Sequence, residues 1–310
     1  MKIQSTYKIL VLVTAPLLLQ SCFVAKNYER PNMETERLYR TDNLPQDSVS
    51  MANISWRDLF EDKQLQSYIE QALENNLDIR IALQNVVAAE AYLKQGKAGY
   101  YPTLSGTASF TRTKNSQNSQ FGSFFTRPLK QFELSGALSW EADVWGKIRS
   151  NKRAFGASYL QSVSAHQAVK TELVAAIANM YYQLMALDKQ RDITKKTLEA
   201  RKSSLETTQA LKDAGLVTEV AVKQTAAQVH TAEIILIDLE NNIKLLENSF
   251  SILLGEASHG IIRGSLDDQS INTDLKTGVP YLLLANRPDV MQAEYALINN
   301  FELTNVARSS

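Results

Sequence analysis

The sequence predicts a mainly α-helical chain built on long antiparallel coiled-coil helices and interrupted by one β-hairpin of membrane-crossing length. Three observations carry this. Glycine and proline are scarce, at 12 and 7 in 310 residues, which argues for long uninterrupted elements. Two stretches free of both residues carry apolar side chains at alternating spacings of three and four, the seam of a coiled coil. Between the helical stretches, two segments switch to strict period-two alternation.

Composition narrows the classes further. The 44% hydrophobic content can supply a sizeable core. Lysine plus arginine (33) equals aspartate plus glutamate (33), so no basic excess exists to hold a polyanion, and nucleic acid is not an expected partner. The one cysteine, Cys22, excludes an intramolecular disulfide and a thiolate metal cluster. Its position is more informative. Lys2 and Lys8 precede the apolar run from Ile9 to Leu19, too short to span a bilayer but suited to a secretory signal. Leu19-Gln20-Ser21-Cys22 then resembles a bacterial lipobox, with Gln20 a less usual residue at its position. Residues 1–21 are read as a lipoprotein signal peptide and Cys22 as the lipid attachment site. Ordinary signal cleavage and a buried structural cysteine are the alternatives.

The elements follow in order. Residues 22–62 form a lipid-anchored extension, polar and containing Pro31 and Pro45, that reads as a leash. Residues 63–100 carry the helices of a first repeat, broken near Asn75-Asn76. Residues 101–145 hold the β-hairpin. Leu104, Gly106, Ala108 and Phe110 alternate with Thr103, Ser105, Thr107, Ser109 and Thr111, while Phe132, Leu134, Gly136, Leu138 and Trp140 alternate with Glu133, Ser135, Ala137, Ser139 and Glu141. Each strand is about 10 residues, the length a tilted strand needs to cross a bilayer. Residues 114–130, rich in Asn, Ser, Gln and Gly, make a long solvent-exposed loop whose Phe121, Phe124 and Phe125 have no assignment. A soluble amphipathic hairpin packed on the helices is the rival reading. No other stretch is apolar enough for a transmembrane helix, so any crossing must use strands.

Residues 146–255 form a long α-hairpin. From Ala157 to Ala214 neither glycine nor proline occurs, a length that as one helix extends roughly 87 Å at about 1.5 Å per residue. Leu173, Ile177, Met180, Leu184 and Leu187 make its seam, and Leu236, Leu239, Ile243, Leu246, Phe250 and Leu253 make the seam of the second arm. Gly215 interrupts. Thr218 offers an N-cap and Glu219 a first-turn acid for the second arm, while Lys212 suits the last turn of the first.

Residues 256–281 form a linker, and 282–310 begin a second, truncated repeat. Asn76-Leu77-Asp78-Ile79 and Ala82 align with Arg287-Pro288-Asp289-Val290 and Ala293, and both segments read as helix starts, with Pro288 at the first position. In this register Ser310 falls on Gly99, just before a strand would be expected. A complete second repeat would take the chain to roughly 465 residues. Two strands cannot close a barrel, and open sheet edges are not tolerated in lipid, so several copies must contribute strands.

An ordered set of motifs then carries a family resemblance: the lipobox cysteine, Trp56-Arg57-Asp58-Leu59-Phe60, Ala72-Leu73-Glu74-Asn75-Asn76, Tyr101-Pro102, Leu138-Ser139-Trp140-Glu141-Ala142-Asp143-Val144-Trp145-Gly146, Ala214-Gly215-Leu216, Leu253-Leu254-Gly255 and Arg287-Pro288-Asp289-Val290. Over the whole mature chain the sequence resembles TolC-like outer-membrane efflux lipoproteins. The resemblance implies a homotrimer whose long helices form a periplasmic α-barrel, and whose hairpins build a shared twelve-stranded β-barrel in the outer membrane. It implies a passive duct for small molecules, drugs or metal ions, fed by an inner-membrane transporter through a periplasmic adaptor, or membrane fusion, protein. It carries the adaptor-docking tip onto Gly215, Leu216 and Thr218, and the membrane interface onto Trp140 and Trp145, for which packing inside the strand-to-helix junction is the equal alternative. It implies no cofactor.

An enzyme finds little support. His166, His230 and His259 are spread over two helical arms and a loop and read as solvated residues; no metal-binding histidine pair, nucleophile elbow or phosphate-binding loop is present. Tyr181-Tyr182 reads as seam and flank. The structural rival is a lipid-anchored coiled-coil spacer without a channel, which would need neither the period-two hairpin nor the repeat.

Overall fold

A computed structural model describes residues 25–31, 54–116, 118–120, 122, 124, 127–269 and 286–309. Cys22 and residues 1–21 lie outside them, as do Phe121 and Phe125. In chain order the elements are α1 (Trp56–Leu59), α2 (Lys63–Asn75), α3 (Leu77–Ala98), β1 (Thr103–Thr113), β2 (Leu129–Ser139), α4 (Lys147–Asp213), α5 (Glu219–Leu254), a 3-10 turn (Leu266–Asp268) and α6 (Pro288–Arg308). They fall into two compact units. One holds the described residues of 25–31, 88–160 and 294–309, and the other those of 54–87, 161–269 and 286–293.

The larger unit is organised by an apolar stripe on each helix. On α2, Leu65, Ile69 and Ala72 recur at helical spacing and are fully buried. They pack with Leu173, Ile177, Tyr181, Leu184 and Met185 of α4, with Ile243, Phe250 and Leu254 of α5, and with Ile261. Most of the expected seam is therefore the core, with Met180, Leu187, Leu246 and Leu253 at its margin, while Leu236 and Leu239 lie outside this cluster. Burial of each large apolar side chain is worth about 1.5–3 kcal/mol. Tyr68 meets Phe250 edge-on at 5.2 Å and Tyr181 at 6.3 Å.

Polar groups set where the helices begin and end. Asp62 Oδ1 accepts from the backbone N–H of Gln64 (2.8 Å) and Leu65 (3.2 Å), capping α2, while its Oδ2 accepts from Tyr181 Oη at 2.9 Å. Tyr181 is thus seam, as its spacing predicts, and its phenol is pushed well above the ordinary range by burial and then by the Asp62 carboxylate. The break between α2 and α3 falls on Asn76, only 3% exposed. Its Oδ1 caps α3 by accepting from Asp78 N (2.8 Å) and Ile79 N (3.2 Å), and its Nδ2 donates to the Leu253 carbonyl at 3.0 Å. Gly255, at φ +74°, closes α5 with paired bonds from its own N–H to Ile252 O and from Glu256 N to Ser251 O.

In the smaller unit, β1 and β2 pair antiparallel, with Leu104 opposite Leu138, Gly106 opposite Gly136, Ala108 opposite Leu134 and Phe110 opposite Phe132. Leu129 and Lys130, assigned from sequence to the loop, belong to β2, because the ladder continues through Arg112–Lys130 and Thr113–Leu129. The strand also stops at Ser139, before Trp140 and Glu141. The residue facing Trp140 in this register is Pro102, one position before β1 begins. Asp143 starts α4 by accepting from Ile148 N (2.8 Å) and Arg149 N (3.0 Å) across Gly146, which sits at φ +80°. Helix α6 begins at Pro288, the position its fixed φ suits.

Candidate functional site

The first candidate site is the β-hairpin. Every residue of both strands is exposed. The apolar column is open to its surroundings, with Leu104 at 80% and Leu134 at 89% exposure, and Phe110 and Phe132 touch across the strands at 4.8 Å. The opposite face carries Thr103, Ser105, Thr107 and Ser109 against Ser139, Ala137, Ser135 and Glu133. A soluble hairpin would bury its apolar column on a partner element, and among the described residues none covers it. Apolar on one face and small and polar on the other, two strands of 11 residues each match what a tilted barrel strand presents to lipid and to water.

The tryptophans flank the base of this hairpin. Trp140 is 63% exposed and its indole N–H donates to the Tyr100 carbonyl at 3.2 Å, which fixes an amphipathic ring at the strand end. Trp145 is 46% exposed, and its backbone carbonyl accepts from Ser309 Oγ at 3.2 Å.

The second candidate site is the turn between α4 and α5. Gly215 adopts φ +75°, its N–H bonds to Lys212 O (2.8 Å) and the Leu216 N–H reaches back to Leu211 O (2.9 Å), so the turn ends α4 with a left-handed cap. Leu216 is left 72% exposed and Val220 63% exposed, an apolar tip presented to solvent. Thr218 occupies the N-cap position with extended backbone, but its side chain makes no capping bond, contrary to the sequence expectation. In its place the Thr218 carbonyl accepts from Ala221 N at 3.1 Å, and Lys212 pairs with Glu219 at 2.6 Å across the turn. That pair holds the Glu219 carboxyl below and the Lys212 ammonium above their ordinary values. Beside it, Leu205, Glu206, Gln209, Ala210 and Asp213 face Val222 and Ala226 across an open groove of about 580 Å³.

Two constellations escaped the sequence. Arg263, in the segment read as a plain linker, has a side chain 8% exposed, forks onto Asp188 of α4 (2.5 and 3.1 Å) and reaches Glu247 of α5 at 2.6 Å. Only a pattern of three charges far apart in sequence could have revealed it. In the smaller unit, residues 26–30 are strapped to α6. The Lys26 backbone exchanges two bonds with the Asn305 amide (3.3 and 2.9 Å), Tyr28 meets Phe301 edge-on, and Arg30 pairs with Glu294.

The histidines do not converge. His230 is exposed and bonds Glu233 at 3.0 Å, and His259 contacts Ser251 and the Ala257 carbonyl. His166 is half-buried, not solvated as its sequence reading had it, and desolvation first, then Lys170, lowers its pKa. Among the described residues no cluster of three histidine, cysteine or acidic side chains could hold a metal, and no helix is long and apolar enough to cross a membrane.

Comparison with known proteins agrees with this geometry. Residues 68–256 match the family model described as outer membrane efflux protein. The chain is 27% identical over 299 residues to the probable efflux pump outer membrane protein TtgC of Pseudomonas putida, covering 94% of this chain and 61% of that one. It is 26% identical over 290 residues to the cation efflux system protein CusC of Escherichia coli, covering 91% and 61%. It therefore spans about three fifths of the length of these relatives. Among solved structures, the outer-membrane channel OprN superposes with a TM-score of 0.75 at 25% identity, over 92% of this chain and 64% of that one. CusC superposes with a TM-score of 0.68 at 26% identity, over 92% and 63%. With more than half of its length matched by the family model and its fold shared with these channels, the chain belongs to the outer membrane efflux protein family.

Proposed function

We propose that this chain forms part of a trimeric outer-membrane duct that passes small molecules, drugs or metal ions, from a periplasmic adaptor and an inner-membrane transporter to the exterior. The observation that carries the reading is the hairpin, whose ladder aligns an apolar column from Leu104–Leu138 to Phe110–Phe132 on one face and mostly small polar residues on the other while every residue stays exposed. Such a surface is stable in a bilayer only when further strands close it. The larger unit supports assembly as well. Ile234, Ile237, Leu245 and Ile252 of α5 are 58–72% exposed, apolar surface that a neighbouring copy would cover. In this reading Cys22 carries the lipid anchor, Gly215, Leu216 and Thr218 form the tip that an adaptor grips, and Trp140 and Trp145 sit at the membrane interface. The relatives' names support export, and one of them, a cation efflux system protein, supports metal ions among the cargo. The duct performs no chemical step.

The test is single-channel recording on the full-length mature protein in planar bilayers. Steady trimer conductance is the expected result. A protein that stays monomeric and passes no current overturns the duct in favour of an anchored spacer.

A further inference from the structure

The apolar column of the β-hairpin does not run to the end of the ladder. From the base it reads Trp140, Leu104 and Leu138, Gly106 and Gly136, Ala108 and Leu134, Phe110 and Phe132, and the next pair on the same face is Arg112 opposite Lys130. Two like charges directly opposed across strands repel one another. Both are exposed, and neither has an acidic partner among the described residues. Lys114 and Arg127 lie just beyond them, also exposed. From residue 111 to 131 the sequence contains no aspartate or glutamate. The nearest acid on the strand, Glu133, stands opposite Ser109 on the other face of the sheet.

The depth of this pair is fixed by strand geometry. From Trp140 to Lys130 the strand rises roughly 33 Å at about 3.3 Å per residue, or about 25 Å along the membrane normal at a tilt of about 40°. That is the height of the apolar band of an outer-membrane barrel, so the cations stand at the interface the loop end reaches, one step beyond an aromatic pair. Cations at that depth are tolerated, and they meet anionic headgroups there. A guanidinium beside an ammonium suits a phosphate, which takes two parallel bonds from the first and a point charge from the second.

We propose that Arg112 and Lys130, flanked by Lys114 and Arg127, bind the phosphate groups of an anionic lipid in the leaflet reached by the loop end of the hairpin. This rests on the reading of the hairpin as bilayer-spanning. The bound phosphate relieves the repulsion between the two cations and seats the barrel at a defined depth.

The experiment uses the full-length mature protein reconstituted in phosphatidylcholine vesicles containing diphosphorylated lipid A, or the same lipid with its phosphates removed. Lipid retained by the protein is read by native mass spectrometry, and conductance is recorded on the same preparation. The wild type is expected to retain the diphosphorylated lipid preferentially. Arg112→Gln with Lys130→Gln should reduce retention about fivefold per cation removed, while Arg112→Lys with Lys130→Arg should preserve most of it. A conducting protein that shows no preference for phosphate, or a conducting double glutamine variant that retains the lipid undiminished, overturns the site and leaves the duct standing. Inorganic phosphate bound by the same protein as tightly as the lipid overturns the assignment to a lipid headgroup. A wild type that neither inserts nor conducts overturns the duct, and this site with it.

Discussion

Replacing Asn76 by alanine removes three hydrogen bonds that hold the start of α3 and its contact with the end of α5. Loss of the cap at Asp78 and Ile79 costs about 1 kcal/mol. The second loss is tertiary. The Leu253 carbonyl is left without its side-chain donor at a site where Asn76 is 3% exposed, and an unsatisfied group of this kind costs about 1–3 kcal/mol. Together these give about 2–4 kcal/mol, or a roughly thirty- to several-hundred-fold faster exchange of the first α3 amides at about 1.4 kcal/mol per decade. Hydrogen exchange followed by mass spectrometry over residues 76–82 reads this directly. Asn76→Asp separates the two parts, since a carboxylate still accepts from Asp78 N and Ile79 N but cannot donate to Leu253 O. It should keep the helix start protected while loosening the contact with α5. Unchanged exchange in Asn76→Ala, or equal losses in both variants, would refute this account of the break.

The remaining expectations concern the same unit. Arg263→Met leaves Glu247 without its guanidinium, although Asp188 keeps Arg191 at 3.1 Å, so the loss should be about 3 kcal/mol in urea unfolding, with Arg263→Lys recovering only part. Gly215→Ala meets no atom within 4 Å and should cost only the left-handed backbone, about 1 kcal/mol. Gly255→Ala adds a Cβ 2.7 Å from the Asn75 carbonyl oxygen and should cost about 1–3 kcal/mol more, so equal unfolding midpoints for the two alanine variants would contradict the difference in packing. His166 has a folded pKa below its ordinary 6.5, through burial and then Lys170. The unfolded chain therefore binds the proton more readily, and this contribution is present above about pH 6.5 and lost as pH falls toward the lowered value. His166→Gln should flatten that slope in pH-dependent unfolding.

Much of this molecule was legible from local pattern. The seams at Leu173, Ile177 and Leu184 and at Leu239, Ile243 and Phe250 are buried because helical periodicity places them on one face, and periodicity is a property of neighbours in sequence. The faces of both strands, the left-handed turn at Gly215 and the start of α6 at Pro288 follow from similar short-range rules. Tertiary structure decided what depends on partners far away in the chain. Thr218 sits at a cap position but leaves the capping to backbone and to the Lys212–Glu219 pair. The end of β2 at Ser139, short of Trp140, and its extension to Leu129 are set by pairing with β1, which only the register establishes. The grip of Arg263 on Asp188 and Glu247, the strap of residues 26–30 on α6, and the opposed cations Arg112 and Lys130 all join groups that no sequence window contains together, because burial and proximity arise only once the chain has folded.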